Sequence, residues 1–168
     1  MSDDFNLTAE QQAELLRSCW YSHDARWFMS VAQEYGMEAA NRLNRRAVRA
    51  LGQVEVRRLA RALGVGPVST LTEMAQLIEA GRRFLFPQPG MEIELQVLDP
   101  KSYEVAFQRC FVHEKIARAG IGPSYVCAVF DRLAGWHDGL NLPLTEEFPA
   151  LACARFQGKE CQRVLTIQ

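Results

Sequence analysis

Hydrophobic and polar positions along the chain fall into two helical runs, a third shorter one, and then a change of period. Thr8 followed by Gln11 reads as a capping box, in which each side chain satisfies an orphan amide of the first turn. Beyond it Leu16, Trp20, His23, Trp27, Val31 and Glu34 recur at steps of three and four, which places them on one face of a helix running to Tyr35. Ser22 or Asp24 can also cap a new helix, so residues 8–35 read as one helix or as two. Gly36 predicts a stop. Residues 37–63 carry Leu43, Ala47, Leu51, Val54 and Leu59 along one side and end at Gly64. The other side carries Arg42, Arg45, Arg46, Arg49, Arg57, Arg58 and Arg61, which reads as a solvated helix face. Thr70 with Glu73 opens a third helix with Leu71, Met74, Ile78 and Leu85 inward, closed by Pro87, Pro89 and Gly90.

From residue 91 the apolar period becomes two. Met91, Ile93, Leu95 and Val97 alternate with polar residues, Asp99-Pro100-Lys101-Ser102 is turn chemistry, and Tyr103, Val105 and Phe107 alternate again. Residues 91–109 therefore predict an antiparallel hairpin. Residues 111–119 and 124–134 read as a helix pair, followed by a turn at Gly135-Trp136-His137-Asp138-Gly139. Residues 150–156 and 161–167 read as a second hairpin around Gln157-Gly158-Lys159. The resulting class is α+β: N-terminal helices, then a four-stranded antiparallel sheet made of two hairpins with the helix pair between them. One domain over 1–168 is expected, with a helical part at 8–86 and a sheet and helix-pair part at 91–168.

Composition narrows the function classes. With 168 residues, 48% hydrophobic and 23% charged, the chain fits a soluble globular domain. A net charge of -1 predicts no general affinity for nucleic acid, and the arginine face has no interleaved aromatics on which bases stack. No apolar run approaches the roughly 18 residues that a membrane span needs. The start Met1-Ser2-Asp3-Asp4-Phe5 is polar and acidic, unlike a secretory signal, so a cytoplasmic location is expected. There, five cysteines are free, buried, metal-bound or catalytic rather than a disulfide framework.

The candidate chemistry lies in two places. Trp20-Tyr21-Ser22-His23-Asp24-Ala25-Arg26-Trp27 sets a histidine and an aspartate on a tryptophan seam, although adjacent helical positions diverge by about 100°. Trp20, Trp27, Glu34 and His113 are candidate ligand-binding residues. Cys110 and His113 are three apart at a predicted helix start, which lowers a thiol pKa and suits a nucleophile or a metal ligand. Cys110, Cys127, Cys153 and Cys161 form a candidate metal set; with an even register the last two share a side of their hairpin. Zinc or an iron–sulfur cluster is compatible with them, but no C-x-x-C knuckle signals either. Cys19 reads as a core residue beside the seam.

The run Trp20-x-x-His23-Asp24-x-x-Trp27, with Glu34-Tyr35-Gly36, Cys110, Arg118-Ala119-Gly120, Cys127, Cys153 and Cys161, resembles an uncharacterised group of bacterial cytosolic proteins catalogued as a domain of unknown function. The likeness covers residues 15–167. That group is in turn loosely similar to L-2-amino-thiazoline-4-carboxylate hydrolase-like proteins. The terminal Cys153…Gly158…Cys161 segment resembles small-ligand vinyl-reductase-like domains.

Three functions are compatible with these residues. The first is a small-molecule or metal-binding domain with a pocket between the N-terminal helix and the sheet. The second, which the resemblance implies, is a hydrolase of a cyclic amide-like or thiazoline-like acid, with Cys110 as nucleophile, His23 as general base and Asp24 as orienting acid. The third is a structural or oligomeric module without a site, its tryptophans in the core. Homo-oligomerisation is left open by all three.

Overall fold

The computed structural model describes residues 6–86 and 90–168. The expected proline stop at Pro87 and Pro89 and the acidic start at residues 1–5 lie outside the described residues.

Helix α1 spans Ala9–Leu63 and opens with the Thr8/Gln11 capping box. The first run is one helix and not two, since no break occurs at Ser22 or Asp24. At Gly36 the backbone leaves helical geometry for a single residue (φ 84°, ψ 162°) and the helix resumes at once. Only glycine adopts that conformation readily, so the residue bends the helix without a connecting loop. Gly64 ends α1 in the left-handed conformation, its amide donating to Ala60 and Arg61 carbonyls. Helix α2 (Leu71–Leu85) starts at the Thr70/Glu73 capping box. Strands β1 (Met91–Asp99) and β2 (Ser102–Cys110) form the expected antiparallel hairpin. Helices α3 (Phe111–Arg118) and α4 (Val129–Leu140) and strand β3 (Gln162–Thr166) follow.

The class is α+β, but the sheet has three strands in the order β1-β2-β3, not four. The strand expected over 150–156 does not form. Ala152 makes one isolated bridge to Val126, and Ala154–Gln157 closes as a 3-10 turn capped by Gly158 at φ 67°. Arg155 from that turn donates to the Phe107 and Gln108 carbonyls, capping β2 just beyond the end of its pairing with β3. The turn expected over Gly135–Gly139 is also overturned, because these residues are helical in α4.

Close approach to α1 explains those glycines. A Cβ on Gly135 would stand 2.1 Å from the Arg49 carbonyl oxygen, and one on Gly139 would stand 2.6 Å from Val56. On the α1 side, a Cβ on Gly52 would stand 2.4 Å from the Arg132 carbonyl. Glycine lets the two backbones nearly touch, and ion pairs then lock them together. Arg45 chelates Asp131 at 2.8 and 2.9 Å, and Arg49 reaches Asp138 at 2.8 Å and also pairs with Glu147. The arginine face is therefore only partly solvated: Arg45 and Arg49 serve the helix interface, while Arg42, Arg46, Arg58 and Arg61 are exposed.

The main core joins α1, α2 and α4 to one sheet face through residues such as Val56, Met74, Tyr103, Val105 and Leu165. His137 is fully buried there. Its Nδ1 lies 3.0 Å from the Leu142 carbonyl, which can only accept, so that nitrogen carries the proton. The Tyr103 hydroxyl then donates to Nε2 at 2.8 Å. Burial holds the ring neutral and pulls its pKa down to about 4.

Candidate functional site

The first half of α1 passes over a cavity of about 890 Å³, a size typical of small-molecule sites. Helical period sorts the tryptophan-rich stretch into two faces. Tyr21, Asp24, Ala25 and Phe28 line the cavity. Ile78, Met91, Phe107 and Phe111 supply much of the opposing apolar wall, with Trp136 and Tyr125 at the sides. Phe28 and Tyr125 meet edge to face at 5.5 Å, which ties the roof to the segment before α4.

The polar centre of this cavity is Arg132 of α4. Its guanidinium chelates the Glu55 carboxylate, and its Nη1 donates to the Tyr21 hydroxyl at 3.1 Å. Tyr21 in turn donates to the Leu85 carbonyl at 3.0 Å, and the Trp136 indole donates to Glu55 at 3.2 Å. The guanidinium also stacks 4.4 Å over the Phe86 ring. Arg132 and Glu55 side chains are only 12% and 6% exposed, so each charge depends on the other. Burial raises the Tyr21 pKa against the pull of Arg132, which keeps the phenol protonated. The Asp24 carboxyl at the rim is also pushed above its ordinary range by burial, with Arg132 and then His23 opposing.

Of the residues expected to form a site, Asp24 alone lines this cavity. Trp20 is half-buried just behind it, 5.0 Å from the Tyr21 ring and 5.7 Å from the Arg132 guanidinium. His23, Trp27 and Glu34 lie on the exposed face of the helix, Trp27 at 66% exposure. On the predicted shared face Leu16, His23, Trp27 and Glu34 are exposed while Val31 is buried and Trp20 half-buried, and Cys19 is exposed rather than in the core.

Cys110 and His113 sit apart from the cavity lining. Cys110 precedes α3, and its sulfur accepts the backbone amides of His113 and Val112. Burial nevertheless outweighs those amides and raises its pKa, so the helix start does not yield the expected thiolate. Burial likewise pushes Cys127 to about 12 and Cys161 to about 11. His113 Nδ1 lies 3.7 Å from the Cys153 sulfur, and its ring packs on Phe156 at 4.8 Å. Among the described residues, no three His, Cys, Asp or Glu side chains are gathered closely enough to hold a metal ion. No described helix is long and apolar enough to cross a membrane.

Sequence reasoning missed Tyr21, Glu55, Arg132 and Trp136. Tyr21 was legible as the member of the octapeptide three positions before Asp24 and seven before Phe28. Glu55 had a weaker signal, one acid among the apolar positions of an arginine-rich helix. Arg132 lay inside a predicted helix, but nothing local marks its partner 77 residues away.

Residues 6–111 match a family of unknown function (DUF6125), a stretch that ends one residue past Cys110. No curated protein and no solved structure matches the chain.

Proposed function

The chain belongs to this family of unknown function, and because the matched stretch supplies the cavity's roof and much of its floor, we propose that binding a small molecule there is its function. The observation that carries the reading is the combination of a large aromatic-walled space with a preset polar centre. Arg132, Glu55 and Tyr21 are held by one another before any ligand arrives, which lowers the ordering cost of binding. Arg132 and Glu55 cancel in charge, and the rim balances Glu14 and Asp24 against Arg26 and Lys115. A molecule that is mostly apolar, carries no net charge and ends in a hydrogen-bonding group suits this lining.

Hydrolysis through Cys110 has less support. Its thiol is buried and held protonated, His23 faces solvent, and neither lines the cavity.

The test uses an environment-sensitive naphthalene dye, prodan, as an uncharged probe, followed by energy transfer from the tryptophans. Saturable binding at one dye per chain is expected. Ala25→Trp, which places an indole at the rim, should abolish binding without lowering the melting temperature. Dye binding that survives Ala25→Trp unchanged, or no saturable binding in the wild type, would sink the proposal.

A further inference from the structure

We propose that the cavity selects an uncharged carbonyl compound (a ketone, amide or ester with an apolar body) whose oxygen docks on Arg132. The inference rests on the reading of the cavity as a small-molecule site and names the group that such a molecule presents.

Donors and acceptors at the polar centre do not balance. A guanidinium has five N–H groups and no acceptor. Three of those on Arg132 are engaged: Nε and Nη2 with the Glu55 carboxylate, and Nη1 with the Tyr21 hydroxyl. One N–H is left on each terminal nitrogen, and among the described residues no other oxygen accepts from Arg132. The rings beside it, Phe86 at 4.4 Å and Trp20 at 5.7 Å, have no nitrogen or oxygen lone pair to offer. Asp24 also lines the cavity, but it acts on Arg132 through space and makes no bond to it.

The neighbouring groups are already committed. The Tyr21 proton goes to the Leu85 carbonyl, the Trp136 indole proton goes to Glu55, and the Glu55 carboxylate accepts three bonds in all. The surplus is therefore on the donor side, and it sits on a charged group that lines the cavity.

That surplus discriminates among ligands. Water serves the two N–H groups in solution, and a molecule that displaces the water has to serve them instead. An apolar molecule would leave them bare in an almost dry site, where Arg132 is only 12% exposed. A carbonyl oxygen has two lone pairs and no proton of its own to place, so one atom can accept both. A carboxylate would accept them too, but Glu55 already neutralises Arg132, so the added charge would be buried without a partner. Ile78, Phe107 and Phe111 then pack against the apolar body. Sites built to hydrogen-bond a ligand reject the analogue that lacks the group far more strongly than apolar walls reject a misfit.

Equilibrium dialysis of the full-length chain compares three naphthalenes of similar size: 2-acetylnaphthalene, 2-ethylnaphthalene and 2-naphthoate. Once the dissociation constants of the two uncharged compounds are corrected for their octanol–water partition, the ketone should bind about 10–100-fold tighter than the ethyl compound. That is the range which a hydrogen bond to a charged group supplies. The naphthoate should bind more weakly than the ketone. Arg132→Met combined with Glu55→Gln removes both buried charges together and should abolish the preference for the ketone while 2-ethylnaphthalene still binds. Should that variant fail to fold, the wild-type series decides alone. Equal corrected affinities for the two uncharged compounds, tighter binding of the naphthoate, or a ketone preference that survives the double variant would overturn the inference and leave the cavity standing as a binding site. Saturable binding of none of the three would remove the reading on which it rests as well.

Discussion

The two halves of α1 have nearly opposite relations to the rest of the molecule. The half after Gly36 looks like a basic surface helix in sequence, yet it is clamped to α4 by glycine contacts at Gly52, Gly135 and Gly139 and by paired arginines. The half before Gly36 carries two tryptophans and looks like a core helix, yet Leu16 and Trp27 are 70% and 66% exposed. It is attached through side chains: Tyr21 to Leu85 and Arg132, Arg17 to the Phe84 carbonyl at 3.2 Å, and Phe28 against Tyr125. Burial here follows backbone proximity more than side-chain hydrophobicity. The clamped half sets the frame, and the other half roofs the cavity.

Breaking the clamp should have the largest effect. Glu55→Ala strands the Arg132 charge in an almost dry site, because both side chains are close to fully buried. Removing one partner of such a pair costs about 3–5 kcal/mol, which urea unfolding will read as a lower midpoint. An unchanged midpoint would mean that water reaches Arg132 and that the polar centre is not preset.

The buried histidine behind the clamp predicts the next effect. His137 titrates near 6.5 when unfolded and is pulled down to about 4 in the fold. The unfolded chain therefore takes up this proton first as pH falls. The stabilisation from keeping the ring neutral is complete above pH 6.5 and is lost progressively down to pH 4. The loss amounts to about 3 kcal/mol at the lower limit. Urea unfolding of the wild type and His137→Gln across that window should differ in slope, and parallel profiles would rule the histidine out as the cause.

A smaller effect should come from the glycine contact. Gly135→Ala sets a methyl against the Arg49 carbonyl, where 2.1 Å leaves no room. Separating the helices enough to admit it should cost about 1–3 kcal/mol by thermal or urea unfolding. A neutral result would show that α1 and α4 slide easily, and the contrast between the two halves would weaken.

What the chain spelled out, and what it hid, follows the same division between local and distant chemistry. Both capping boxes, the Gly64 stop and the β1–β2 hairpin were legible because each is set by residues a few positions apart. The fourth strand does not form because Ala154–Gln157 closes as a 3-10 turn capped by Gly158, which alternation over 150–156 does not announce. Gly135 and Gly139 read as a turn because glycine for bending and glycine for close approach look alike until the partner helix is known. Of the octapeptide residues read as a site, Asp24 lines the cavity, and Trp20, His23 and Trp27 do not. Tryptophan and histidine drew attention to the exterior, while Tyr21 and Asp24 faced the cavity. Tyr21 meets Arg132 of α4, which in turn is held by Glu55 of the second half of α1, a pairing that only the fold supplies.

The smallest expected effect tests that reversal of faces most directly. Trp27 lines no part of the cavity and His23 is exposed beside it, so neither contributes much buried surface to the fold. Trp27→Ser and His23→Ala should each shift unfolding by no more than about 0.5 kcal/mol, the ordinary range for surface substitutions. Both should bind the naphthalene probe as the wild type does. Tyr21→Phe provides the contrast on the inward face. It removes the hydroxyl that joins Arg132 to the Leu85 carbonyl and should weaken probe binding or unfolding measurably. If Trp27→Ser destabilises the chain as strongly as Tyr21→Phe, the outward face is covered in solution. Sedimentation of the wild type would then reveal a second copy of the chain over Trp27, and the two halves of α1 would no longer be opposites.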